Sequence, residues 1–208
     1  MPYVGNDVVD LREPANAGKS RNSRFLKKIL TNVEIEFVQN TKDPDATLWS
    51  YWACKETAYK VIKKSCLDAA FLPRQWTVIF NKIESTHLEG EVIIPRKNMV
   101  YIHLFSNPQY VHCVGSDSIT ALDKLIWKVD VLPEEKDEKN IDPSFFSRNC
   151  LGQNLAQYFS LNFHNIKIRR TREDGVLQPP RVYVSGRETD IDISLSHDGR
   201  FVAYAYHL

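Results

Sequence analysis

The amino-acid sequence predicts an α+β protein built from two similar halves, each a helix packed on antiparallel strands. Three observations carry that reading. A run from Asp45 to Lys64 contains neither Gly nor Pro and starts behind N-cap candidates at Asp43 and Asp45, which makes it one long helix. After Pro73 the texture changes to short segments rich in β-branched and aromatic residues, "QWTVIF", "EGEVII", "NMVYIHLFS", "YVHCVG" and "LIWKVDVL", separated by Asn, Gly and Pro turn signals. The charged, proline-bounded stretch "PEEKDEKNIDP" then divides the chain, and beyond it helix and strand signals return. The expected organisation is a first half at 1–132, a linker at 133–142 and a second half at 143–208.

Each element follows from its own residues. Residues 3–11 read as a first strand interrupted by the polar Gly5-Asn6-Asp7. From Ser20 to Gln39, Phe25, Leu26, Ile29, Leu30 and Val33 recur at helix spacing, and Thr31 with Glu34 can form a capping box for a second short helix. Asp142-Pro143 supplies an N-cap and first-turn pair for a helix that Leu151, Leu155, Tyr158 and Phe159 carry to about Phe163. A strand at "NIKIRR", a loop at "EDGVLQPP" and a strand at "RVYV" follow. The closing "IDISLSHDGRFVAYAY" is a hairpin about Asp198-Gly199, with Ile191, Ile193 and Leu195 on one face and Asp192, Ser194 and Ser196 on the other. Ser194, Ser196 and His197 at the end of its first strand either satisfy backbone groups or belong to a site.

Bulk properties narrow the function classes. With 208 residues, of which 43% are hydrophobic, the chain can fill a core. Lys and Arg number 27 against 26 Asp and Glu, so no overall field draws nucleic acid or an anionic membrane, and any anion site must be local. No apolar run approaches the ~20 residues of a membrane span, and the start "MPYVGNDVVDL" lacks the features of a signal peptide, so a cytoplasmic protein is expected. The four cysteines show no CxxC spacing, which suggests reduced thiols. His87, His103, His112, His164 and His207 have no partners at ligand spacing and read as structural or exposed.

In the long helix Leu48, Trp52, Glu56 and Lys60 recur every fourth residue and form one column, with Trp52 expected to pack the helix on the sheet. Glu56 and Lys60 are either a surface pair worth about 0.3–0.5 kcal/mol or part of a site. Asp7 favours the site: a carboxylate is out of place in a strand, and it follows a Gly that permits close backbone approach. A strand carboxylate facing a helix carboxylate is a common way to hold Mg²⁺.

Together "VGNDVVDL", "WACKETAYK" and "ISLSHDGRFVAYA" resemble the three signature motifs of the 4'-phosphopantetheinyl transferase superfamily, G-x-D, W-x-x-K-E-x-x-x-K and S-x-S-H. The resemblance implies an intramolecular pseudo-dimer, monomeric in solution, that moves the phosphopantetheine arm of coenzyme A to a serine of an apo acyl or peptidyl carrier protein of fatty acid or polyketide biosynthesis. It makes Asp7 and Glu56 the Mg²⁺ ligands, with Glu56 or a metal-bound water helping to deprotonate the serine. Lys60, assisted by Lys55, would sit by the pyrophosphate, and Ser196 and His197 would hold coenzyme A phosphates. The order of the motifs looks like that of the family's larger branch with its halves exchanged. Two departures stand out: Val9 replaces a second acidic residue, and Gln178 stands where a lysine is expected. Lys167, Arg169, Arg170 and Arg172 either compensate for that lysine or are the charges of a solvated edge strand. Two other classes are a non-catalytic paralogue that binds coenzyme A or a carrier, and a metal-dependent nuclease; the helical Glu56–Lys60 spacing and near-neutral charge argue against the latter.

Overall fold

The first strand, β1 (Val4–Asp10), is buried along its whole length. Its surroundings organise the computed structural model, which describes residues 1–84, 86–95, 98–133, 141–173 and 175–208. After β1 come α1 (Ser23–Ile29), α2 (Asn32–Asn40) and α3 (Pro44–Ser65). The side chain of Asn22 caps α1, Thr31 and Glu34 form the reciprocal capping box, and Asp43 accepts from the Ala46 N–H ahead of Pro44 at the start of α3. The meander β2 (Thr77–Ile83), β3 (Leu88–Ile94), β4 (Asn98–Ser106) and β5 (Tyr110–Ser116) joins β1 in a five-stranded antiparallel sheet of order β1-β5-β4-β3-β2.

α3 lies on this sheet, burying Leu48, Ala53, Cys54, Ala58 and Val61 against Val92, Ile102, Leu104, Val111 and Cys113. Each large apolar side chain so buried contributes about 1.5–3 kcal/mol. Gly5 sets how closely the helix approaches. A Cβ there would stand 2.2 Å from the Thr57 carbonyl oxygen and 2.9 Å from the Val61 side chain, so only glycine lets this turn of α3 rest on β1. Trp52 packs among Phe25, Trp49 and Phe71, with ring centroids 5.6–6.4 Å apart, at the margin of the core between α3 and the sheet. Two histidines that looked partnerless meet here as well: His87 and His103 have ring centroids 4.5 Å apart beside Glu89.

Beyond β5 run α4 (Ile119–Leu122), β6 (Ile126–Val131), α5 (Pro143–Tyr158), β7 (Ile166–Arg169), β8 (Arg172–Glu173), β9 (Val176–Leu177), β10 (Arg181–Val184), β11 (Arg187–Glu188), β12 (Asp192–Asp198) and β13 (Phe201–His207). They form sheets β12-β13-β6 and β11-β10-β7 and the small hairpin β8-β9. The segment expected to close the first half, β6, instead pairs with β13 from Phe201↔Val131 to Tyr206↔Ile126. The reason is geometric: β5 already has β1 on one edge and β4 on the other, so it has no edge to offer. Residues 126–131 thus join the sheet of the closing hairpin, although the first half was expected to run to 132. Of the linker expected at 133–142, residues 134–140 lie outside the described residues. α5 stops at Tyr158 rather than near Phe163, because Ser160 takes a left-handed φ of 53° and the Leu161 N–H closes the end on the Ala156 carbonyl at 2.8 Å. Leu151 and Leu155 of α5 pack with Ile166, Val182, Ile193, Tyr204 and Tyr206 in a second core.

The two halves meet along the outer edge of β1. The N–H groups of Val4, Asn6 and Asp10 donate to Asp192 Oδ2 (2.5 Å), Ser194 Oγ (2.9 Å) and Asp198 Oδ2 (2.8 Å). The separation between partners is the same 188 residues at all three bonds, so the strands run parallel and are joined through the polar face of β12, not by a backbone ladder. Buried Asn6 adds a bond from Nδ2 to the Ser194 carbonyl (2.7 Å) and accepts from the Ser196 hydroxyl. At one end the Arg200 guanidinium clasps Asp10 with bonds of 2.8 and 2.7 Å. Burial opposes ionisation of Asp10, yet the bonds from Arg200 and from the Arg12 N–H hold its carboxyl below the usual range. The hairpin turn itself is Gly199-Arg200, one residue later than expected, with Gly199 at φ 49° and Asp10 against it.

Candidate functional site

A cleft of about 320 Å³ opens between α3, α5 and β12. From α3, Glu56, Lys60 and Lys64 face it one turn apart; α5 contributes Ser147 and Arg148, the segment around β8 and β9 contributes Arg170 and Pro179, and β12 contributes Ser194 and His197. Among the described residues, five cationic side chains, Lys60, Lys63, Lys64, Arg148 and Arg170, line it with a single carboxylate, Glu56. In a chain of net charge +1 this is a local concentration of positive charge, of the kind that suits an anion.

The Lys60 ammonium donates to Asp7 Oδ1 and to the Asn6 carbonyl oxygen, both at 2.8 Å. Asp7 does not itself line the cleft but lies behind Lys60, buried. Its burial raises its pKa, against the pull of Lys60. Glu56 is pushed up to about 7, by burial first and then by the negative charge of Asp7, with Lys60 opposing. Two desolvated carboxylates, one from a strand and one from a helix, with the charge of Asp7 opposing ionisation of Glu56, are a hard oxygen donor set that suits a small divalent cation. The residues present therefore fit Mg²⁺.

Other expected site residues lie elsewhere. Lys55 follows Cys54 onto the buried side of α3, one helical step away from Glu56, where its ammonium donates to Glu34 Oε2 (2.6 Å) and to the carbonyls of Ile29 (3.0 Å) and Pro73 (2.9 Å). All three of its donors are used and it is fully buried, so it cannot assist at a pyrophosphate. The Ser196 hydroxyl is committed to Asn6 in the seam, while its neighbour His197 points outward into the cleft, as alternation along a strand requires. The arginine pair is split as well: Arg170, just past the end of β7, lines the cleft and donates to the Gln178 carbonyl (3.1 Å), whereas Arg169 stacks on the Tyr183 ring at 5.7 Å. Gln178 itself is buried in its loop.

The structure also adds residues that sequence reasoning missed. Lys64 continues the Glu56–Lys60 column by one more turn, so helix spacing alone would have found it. Its ammonium binds Asp192 Oδ2 (2.7 Å) and the carbonyls of Val4 (2.6 Å) and Ile193 (2.7 Å), tying α3 to both sides of the seam. Arg148 of α5 donates to the Ser144 hydroxyl one turn earlier (3.1 Å), and no local signal marks it.

Two holo-[acyl-carrier-protein] synthases of Leptospira biflexa serovar Patoc, from the Patoc 1 strains Ames and Paris, are each 36% identical over 62 residues, 30% of this chain and 49% of theirs. The chain thus spans about half the length of these curated relatives. The family model of the 4'-phosphopantetheinyl transferase superfamily matches residues 3–114, which include β1, Asp7 and the whole of α3. That match covers more than half of the 208 residues, and the chain belongs to the 4'-phosphopantetheinyl transferase superfamily.

Proposed function

We propose that this protein transfers the 4'-phosphopantetheine arm of coenzyme A to a serine of an apo acyl or peptidyl carrier protein of fatty acid or polyketide biosynthesis, releasing 3',5'-ADP. The carrying observation is the cleft between the halves, where five cations surround Glu56 beside the buried Asp7. Arg170, whose ionisation is disfavoured first by burial and then by Arg148, is eased by an anion such as a coenzyme A phosphate. His197 is exposed in the same cleft as a further donor. Asp7 and Glu56 would hold Mg²⁺, which when bound neutralises charge on the pyrophosphate oxygens.

In the reaction the serine oxygen attacks the phosphorus of the pantetheine phosphate and the bond to 3',5'-ADP breaks. Glu56, with a proton affinity close to neutral pH, takes the serine proton. Lys60, already held over Asp7, offsets the charge that gathers on the departing nucleotide. Both halves supply residues to one cleft, so a monomer suffices and the motif halves act as a pseudo-dimer within one chain. Exposed Arg21, Arg24, Lys27 and Lys28, on and just before α1, would receive an acidic carrier. No helix among the described residues is long and apolar enough to cross a membrane; the cytoplasm is the setting this reading proposes.

Incubation with coenzyme A, Mg²⁺ and apo carrier should add ~340 Da to the carrier, the mass of the transferred arm. Glu56→Gln should bind coenzyme A, keep its circular dichroism spectrum and transfer nothing. A fully active Glu56→Gln enzyme would remove Glu56 from the chemistry. Binding of coenzyme A without mass gain on any carrier would make the protein a non-catalytic paralogue.

A further inference from the structure

A second cluster of ligating side chains lies on the first sheet, and none of its members lines the cleft. Glu89 of β3 stands directly opposite His103 of β4. His87 is two residues before Glu89, which places it on the same face, and the Glu84 N–H to His87 carbonyl bond (2.9 Å) holds it in the β2–β3 hairpin. One ligand atom from each of the three side chains lies within 4.8 Å of the others. His87 Nε2 is 3.5 Å from Glu89 Oε1, buried, and has no hydrogen-bond partner among the described residues. On the far side of the same ring Nδ1 is 3.1 Å from Thr86 Oγ1, the outer partner that would fix the tautomer leaving Nε2 free to ligate. A second carboxylate is close: Asp123 Oδ1 is 3.9 Å from His103 Nε2.

We propose that His87, Glu89 and His103 form a binding site for a divalent transition-metal ion of the zinc class, with Asp123 or water in the fourth position. Two imidazoles with a carboxylate select such an ion over Mg²⁺ or Ca²⁺, which take oxygen donors. Tetrahedral zinc with bonds of about 2.0–2.1 Å needs ligand atoms about 3.3 Å apart, a closure that side-chain rotation on one sheet face supplies. An ordinary cross-strand His–Glu ion pair would need one carboxylate and one imidazole; here a second imidazole packs against the first, and the inward-facing nitrogen is left without a partner. The ion would tie the β2–β3 hairpin to β4 and, through Asp123, to the connection leading into the second half. Its role is structural, and it is independent of the Asp7 and Glu56 site.

The test uses the full chain in a Cys66→Ser background, which removes the exposed thiol as a competing ligand. Metal-free protein is titrated with Zn²⁺, and separately with Co²⁺ as a visible-absorption probe, with Mg²⁺ in excess throughout. One equivalent should bind, and at about 100-fold excess over Kd the Tm should rise by about 5–10 °C. His87→Ala and His103→Ala should each weaken binding roughly 100-fold or more, while Glu56→Gln leaves it unchanged. In case either variant folds poorly, diethylpyrocarbonate labelling of protein with native histidines, read by peptide mass, should show Zn²⁺ protecting His87 and His103 but not His197. The proposal is overturned if no equivalent binds, if binding survives in both histidine variants, or if Zn²⁺ leaves the labelling of His87 and His103 unchanged.

Discussion

Replacing His112 with phenylalanine should flatten the acid side of the stability profile. His112 lies on β5 opposite Val8 and Phe105, fully buried, with the Trp127 ring 5.1 Å and the Phe105 ring 6.3 Å away. Among the described residues neither ring nitrogen has a hydrogen-bond partner. Burial, and then the nearby Lys60 ammonium, push its pKa from 6.5 down to about 3. The unfolded chain therefore takes up a proton below 6.5 that the folded protein refuses until about 3. Stability rises with pH in that window and is lost as pH falls through it. At 1.36 kcal/mol per unit, the loss is about 2 kcal/mol by about pH 5 and approaches about 5 kcal/mol near pH 3. Phenylalanine cannot protonate and also removes two buried unpartnered nitrogens, so His112→Phe should be no less stable than the natural protein near neutrality. Urea unfolding of both proteins from about pH 7 to about pH 5, followed by circular dichroism, isolates the term, because every other titrating group is shared. Parallel stability profiles would show that His112 is not held neutral in the fold, and the burial argument would fail with them.

Three further substitutions probe the framework. Gly5→Ala must push α3 off β1 against the Thr57 carbonyl, costing about 1–3 kcal/mol or more in urea unfolding, and it should lower transfer activity by shifting Glu56 and Lys60 relative to Asp7; unchanged stability would mean the helix contact is loose. Lys55→Met leaves Glu34 buried without its cation, an expected loss of about 3–5 kcal/mol, while transfer per folded molecule stays unchanged because the ammonium is outside the cleft; a specific loss of coenzyme A affinity would return Lys55 to the site. Asn6→Ala strips partners from the Ser194 carbonyl and the Ser196 hydroxyl and should cost about 1–3 kcal/mol by the same measurement. A neutral result there would make the seam dispensable.

What was legible in the sequence was local. The Thr31–Glu34 capping box and the Asp43 cap depend on residues three apart, and both form as read. Gly5 before Asp7 signalled a close approach, and the helix that approaches is the one carrying Glu56. What stayed hidden depends on distant partners. The partner of β6 was decided by which edges were already filled, and no residue in "LIWKVDVL" encodes that. Alternation placed Ser194 and Ser196 together on one face, but that face meets Asn6 from the other end of the chain. Lys55 was misplaced for a different reason: its motif neighbour Glu56 invited grouping, although consecutive residues on a helix point about 100° apart. The histidine cluster was missed because its spacing is across strands, and only the β3–β4 register brings His103 beside Glu89.

The side-chain seam along β1 has a consequence for how the molecule is made. Its first sheet is complete once Ser116 has been synthesised, but the acceptors for the outer amides of Val4, Asn6 and Asp10 arrive only with Asp192–Asp198. About 80 residues separate the two events, roughly 4–16 s at ~5–20 residues per second. During that interval a finished sheet presents an open edge, the template on which other chains add strands. Sealing it requires the most remote pairing in the fold, the kind of contact whose loop-closure cost is met last.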